Sequence, residues 1–190
     1  MILLRHAQSE FNLHFTVTRR DPGIVDPKLT PLGHQQARLA AERLAAQHLA
    51  GERIARIIAS PYTRALQTAA PIARALGGVP VIVNPIVRER YAFACDVGSP
   101  RTELARAWPE LDFTHIDEIW WPPVEEPAEG IAGRAALFRA EMAALPDWGD
   151  TLVISHWGFI LAMTGEKITN VEHRRCDPTQ PAPEGLSWKH

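Results

Sequence analysis

At 190 residues, 46% apolar and 22% charged, with a formal net charge of −2, the chain has the composition of one globular domain long enough to bury a full core. The balance of 20 Lys and Arg against 22 Asp and Glu excludes a global basic field for wrapping nucleic acid, and no apolar run reaches membrane-spanning length. Two cysteines, Cys95 and Cys176, lie too far apart for a metal module and suggest no disulfide scaffold, so the expected setting is the reducing cytoplasm.

The chain opens on a short apolar run at residues 1–4, too brief for a signal peptide and read as a buried strand ending in Arg5-His6. Residues 35–49 follow with helical period, placing Ala37, Ala40, Ala41, Leu44, Ala45 and His48 on one face. Residues 54–59 read as a second strand. Ser60-Pro61 then has the form of an N-cap with proline at the first helical position, opening a helix whose inward face is Ala65, Leu66, Ala69, Ile72, Ala73 and Leu76. Pro71 predicts a kink or an unpaired carbonyl in that helix, and Gly77-Gly78 ends it.

A third strand is expected at 79–83, and a helix using Ile131, Ala135, Phe138, Met142 and Leu145 follows later. Between them, residues 108–130 hold seven acids, no Lys or Arg, and the run W-W-P-P, which reads as a long capping loop. A fourth strand at 151–154 ends in Ser155-His156. The expected organisation is one domain over 1–176 with a proline-rich, partly ordered tail at 177–190, whose Leu186 and Trp188 pack on the same chain or on a neighbour. Strands alternating with helices predict an α/β fold, three-layered, with a mainly parallel sheet covered by helices on both faces.

In such sheets ligands bind beyond the carboxyl ends of the strands. The residues there are Arg5 and His6, Ser60 and Arg64, then Arg88, Glu89 and Arg90, and finally Ser155 and His156. Residues 1–107 carry 14 basic and 8 acidic groups, whereas 108–190 carry 6 and 14, so the first part suits an anion. No nucleophile-elbow serine, P-loop, dinucleotide-binding loop or zinc-protease helix is present. Histidine is the nucleophile candidate that remains. An imidazole attacks phosphorus without an auxiliary base, and arginines hold the oxygens of the transferring phosphoryl group.

Four motifs stand in order: R-H-A-Q-S-E-F-N at 5–12, L-T-P-L-G-H-Q-Q-A at 29–37, S-P-Y-T-R-A-L-Q-T-A at 60–69 and S-H-W-G at 155–158. With Arg88-Glu89 they resemble the histidine phosphatase superfamily, the phosphoglycerate mutase-like proteins. The resemblance implies His6 as nucleophile, Arg5, Arg64 and His156 as the phosphate pocket, Glu89 as proton donor and Asn12 as a further phosphate contact. It also implies chemistry without metal or other cofactor, because arginine and histidine supply the charge.

The chain departs from the family pattern at Ala7, where glycine is usual, and at Trp157, where a small residue is usual and an indole would line or narrow the substrate pocket. Asp96, in C-D-V-G, is the alternative acid. His34, His48, His115, His173 and His190 read as surface or packing residues, and His14 lies close to a motif but off it.

The expected activity is phosphatase action on a small phosphorylated metabolite, without nucleic acid or membrane partners. The alternatives are a phosphoglycerate mutase, disfavoured by E-R-Y-A-F-A-C where that branch carries E-R-H-Y-G, and a non-catalytic phosphate-recognition module. If the acidic stretch forms a lid, its carboxylates favour substrates with a single phosphate.

Overall fold

The computed structural model describes residues 1–188. Among them, five strands form one sheet: β1 (Ile2–Arg5), β2 (Arg56–Ala59), β3 (Val81–Val83), β4 (Thr151–Ser155) and β5 (His173–Arg175). Their order is β3-β2-β4-β1-β5, parallel except for β5, which runs antiparallel on the β1 edge.

Alternation along the strands separates two cores, because successive side chains leave a strand on opposite faces. Ile2, Leu4, Ile57, Ala59, Leu152 and Ile154 meet α2 (Pro31–Leu49) and α3 (Thr63–Ala75). Leu3, Ile58 and Val153 meet α5 (Ala128–Ala143) and α6 (Trp157–Thr164). Burying each such Leu, Ile or Val contributes about 1.5–3 kcal/mol, and the result is the expected three-layer α/β fold.

Several elements differ from the sequence reading in ways that local chemistry explains. Thr30, not a later residue, caps α2 by accepting the Gly33 N–H at 3.0 Å, with Pro31 in the first turn. The cap of α3 lies two residues beyond the expected one: Tyr62 holds that place without a side-chain bond, while the Ser60 hydroxyl is engaged by His156. Pro71 lies within the continuous span of α3. Leu145, expected in a helical core face, lies beyond the end of α5 and is exposed.

Two further helices, α1 (Glu10–Thr18) and α4 (Arg101–Ala107), were not anticipated. Neither were α6, apolar on every side and therefore without period, and β5, which reads H-R-R.

Residues 108–130 pack in part on the sheet, and Glu125 and Glu126 bond Arg90 and Tyr91 beyond its carboxyl edge. Phe113, Ile116 and Trp120 are buried in the first core, and the Trp120 indole donates to the Ser99 carbonyl at 2.9 Å. Asp177 and Gln180 carbonyls accept from buried Arg139, and Leu186 and Trp188 pack against the second core of the same chain. His190 lies outside the described residues. Among the described residues, no helix is long and apolar enough to cross a membrane.

Candidate active site

Register brings the site together. Arg5 pairs with Ser155, and the His6 N–H donates to the Ser155 carbonyl at 2.9 Å, so His6 and His156 emerge side by side one step beyond adjacent strands. Their rings lie 5.0 Å apart. β2 ends on the other flank of β4, where the Ser60 Oγ stands 2.8 Å from His156 Nε2. Arg64 is the second residue of α3, and Glu89 follows the short helical turn Pro85–Val87 after β3. Arg5, His6, Asn12, Arg64, Glu89 and Trp157 line one cavity of about 70 Å³. His156 is fully buried beside His6 and is not among the residues that line the cavity.

The tautomer of His6 is set locally. Its Nδ1 lies 2.7 Å from the Ala7 carbonyl, which only accepts, so Nδ1 carries the proton and Nε2 keeps its lone pair. Burial, reinforced by Arg64 and Arg5, holds His6 well below the ordinary imidazole range. His156 is held low by burial first, then by Arg64 and His6. Both rings are therefore neutral at pH 7. Ala7 sits in the usual negative-φ half of backbone space, so glycine's freedom is not needed there.

The guanidiniums are fixed from behind. Arg5 donates Nη1 to the Ile168 carbonyl at 2.9 Å, and burial brings its pKa down to about 10, still charged at neutral pH. Arg64 donates Nη1 to the Cys95 carbonyl at 2.7 Å, approaches Asp96 at 3.3 Å and lies over the Tyr62 ring. Burial opposes its charge, yet Cys95 and Asp96 hold its pKa above the usual value. Arg5 Nε and His156 Nδ1 are buried polar atoms without a partner among the described residues.

The two candidate acids have different surroundings. Asp96 is saturated: Oδ2 accepts from the Ala92 and Phe93 N–H groups, and Oδ1 faces Arg64 and the Cys95 thiol. Glu89 uses only Oε1, which accepts from the N–H groups of Arg90 and Gly158, both at 2.8 Å. Burial, with Asp96 adding to it, pushes the Glu89 carboxyl up to about 7. Burial also raises Asp96.

The remaining motif residues support rather than react. The Gln36 carboxamide accepts the Gln8 N–H, Thr30 bonds the Gln8 side chain, and a Cβ on Gly33 would collide with the Gln8 carbonyl. The second motif thus braces the loop that follows His6. Asn12 accepts through Oδ1 from Ser9 and Asn170, leaving its amide donors for a ligand.

Sequence reading missed Asn170, which also donates to the His6 carbonyl at 2.9 Å. It missed Arg134, which donates to the carbonyls of Ile86, Arg88 and Glu89 and to both oxygens of buried Glu126. Neither carries a motif signal. Gly158 was visible only as the last letter of S-H-W-G. Exposed His14 lies away from the cavity, and residues 108–130 supply none of its wall.

A model of the histidine phosphatase superfamily (branch 1) matches residues 1–181. A glucosyl-3-phosphoglycerate phosphatase of Mycobacterium tuberculosis is 30% identical over 181 residues, covering 86% of this chain and 73% of that protein. A 2,3-bisphosphoglycerate-dependent phosphoglycerate mutase of a Methylobacterium species is 40% identical over 119 residues, 61% of this chain and 52% of its own length. A solved mycobacterial glucosyl-3-phosphoglycerate phosphatase, in complex with VO3, superposes with a TM-score of 0.61 at 25% identity, covering 91% of this chain and 88% of that one.

Proposed function

The chain belongs to the histidine phosphatase superfamily, and from that premise we propose that it hydrolyses a small phosphomonoester through a phosphohistidine intermediate on His6. The observation that carries this reading is a neutral His6, its Nδ1 proton tied to Ala7 and its Nε2 lone pair available, in one cavity with Arg5, Arg64 and Glu89.

His6 Nε2 attacks phosphorus, the bond to the leaving oxygen breaks, and that oxygen takes the Glu89 proton. A water then attacks the phosphohistidine, giving its proton back to Glu89 as the P–N bond breaks. Phosphate leaves, and both residues return to their starting forms. Arg5 and Arg64 offset the charge on the equatorial oxygens throughout.

The unpartnered Arg5 Nε and His156 Nδ1 suit the same anion. A Ser60 hydroxyl that donates to His156 Nε2 leaves the proton on Nδ1, as a donor for a phosphate oxygen. Asn12 adds an amide donor and Trp157 an apolar wall. The saturation of Asp96 favours Glu89 as the acid. The buried, unpaired thiols of Cys95 and Cys176 fit a cytoplasmic setting.

The test is hydrolysis of a chromogenic aryl phosphate by the wild-type protein and His6→Ala, with chelator present and acid-labile protein-bound phosphate trapped in parallel. Turnover and trapped phosphate that both require His6, unchanged by chelator, are expected. Turnover that survives in His6→Ala, or that chelator removes and a divalent metal restores, overturns the proposal.

A further inference from the structure

Arg64 has two ends, and separate parts of the chain hold them. Its backbone belongs to the first turn of α3, while its guanidinium rests on the Cys95 carbonyl and against Asp96 in the turn Ala94–Asp96. A guanidinium that must meet an anion in a fixed geometry needs those two parts to keep one spacing. Asp26 is bonded to both.

Toward α3, Asp26 Oδ1 accepts the Thr63 N–H at 2.9 Å and Oδ2 accepts the Thr63 hydroxyl at 2.6 Å. Tyr62 gives the helix no side-chain cap, so a carboxylate from a distant loop takes that role, at the end where the helix dipole favours negative charge. Toward the other part, Oδ2 also accepts the Ser99 hydroxyl at 2.6 Å, and the Asp26 N–H donates to the Val97 carbonyl at 3.1 Å. Asp21, in the same loop, accepts the Ala94 N–H at 2.8 Å.

Asp26 is buried, and its φ of 38° lies in the left-handed region that side chains with a β-carbon rarely adopt. It does not line the cavity, so its influence on a bound anion has to pass through its neighbours.

Resting on the phosphomonoesterase reading above, we infer that Asp26 is a positioning residue for the phosphate pocket. Its carboxylate clasps the first turn of α3 to residues 97–99 and thereby aims the Arg64 guanidinium at the anion.

The experiment measures vanadate affinity by calorimetry and kcat/KM for a chromogenic aryl phosphate in Asp26→Ala, Asp26→Gly and Asp26→Asn, each at a temperature where circular dichroism shows it folded. Asp26→Ala is repeated in an Arg64→Met background. Asp26→Gly accepts the backbone angle without the carboxylate and so separates the two. Asp26→Asn tolerates that angle and keeps one acceptor oxygen.

Asp26→Ala and Asp26→Gly are each expected to weaken vanadate binding and lower kcat/KM by about 10- to 10²-fold, the scale of a displaced positioning group, and Asp26→Asn by less. In the Arg64→Met background Asp26→Ala is expected to change kcat/KM by less than about twofold, because the guanidinium it would misaim is gone. Ser99→Ala removes one leg of the clasp and serves where the Asp26 variants fail to fold, with an expected loss of about threefold, the scale of one hydrogen bond. Wild-type affinity and kcat/KM in the folded variants overturn the inference. An equal fold-loss with and without Arg64 also overturns it, since the role would then lie in the fold alone, as do wild-type values in Asp26→Gly, which would assign the effect to the backbone. Vanadate affinities that follow the expected series in a protein that turns over no ester support the clasp and overturn hydrolysis instead. Neither vanadate binding nor turnover in the wild type overturns both.

Discussion

In the proposed reaction Glu89 gives a proton in one step and takes one in the next, a double use that suits a carboxyl raised to about 7. The raised group is protonated below that value and ionised above it. With an alkyl phosphate, kcat/KM is therefore expected to fall as pH rises through about 7, and Glu89→Gln is expected to remove that limb from the pH profile. The same variant should lower kcat/KM by about 10²–10⁴ for alkyl esters and much less for activated aryl esters, the usual contribution of a positioned acid. Equal losses across leaving groups would remove Glu89 from the role. The residues of the proposed reaction could be picked out in the sequence, because each follows a strand and stands in a motif. The choice between Glu89 and Asp96 was not legible there. It depends on the backbone N–H groups of Ala92 and Phe93, which converge on Asp96 only once the Ala94–Asp96 turn has formed.

Helix α6 contributes through its first turn, where the Gly158 N–H holds Glu89 Oε1 and any Cβ would collide with that oxygen. Gly158→Ala is expected to displace the acid and reproduce the leaving-group signature of Glu89→Gln, with a loss of at least about tenfold for alkyl esters. Steady-state kinetics on paired alkyl and aryl substrates checks this; an alanine variant with wild-type rates on both would refute it. Helix α5 holds the same segment from the other side through Arg134. Arg134→Met leaves buried Glu126 with Arg88 as its remaining ion-pair partner, at a cost of about 3 kcal/mol, the lower end for breaking a buried pair. Urea unfolding measures it, and adding Glu126→Leu should recover part of the stability. These contacts were not legible, because α6 is apolar all round and because Arg134 looks in sequence like any solvent-facing helix charge. The long helices α2 and α3 were legible from their small-residue faces, while their first turns shifted with the capping chemistry of Thr30 and the diversion of Ser60 to His156.

Across the whole molecule, apolar runs alternating with helical stretches were enough to predict a three-layer α/β fold. The charged edge strand β5 and the packing of 108–130 were not readable, since both depend on partners distant in sequence. Of the seven acids in 108–130, Glu126 is buried between Arg88 and Arg134, Glu118 pairs with Arg101, and none lines the cavity. An anion held by Arg5 and Arg64, which converge on the cavity only in the folded chain, should stabilise the fold. Vanadate or phosphate at about 100 times its Kd adds about 2.7 kcal/mol. For a domain of this size that is a rise in Tm of roughly 5–10 °C, and Arg64→Met is expected to abolish most of it. Scanning calorimetry with and without anion decides the matter.

The sheet order also bears on when the protein acquires its chemistry. β1 and β2 are joined only through β4, which lies between them and begins at Thr151. Ser155, whose carbonyl accepts the His6 N–H, and His156 beside it lie about 150 residues from His6 in the chain. Contacts of such sequence separation form late, since the intervening loop must close before they reward it. The proposed site is therefore assembled only once β4 has joined β1 and β2, and it forms with the whole sheet rather than with any local segment.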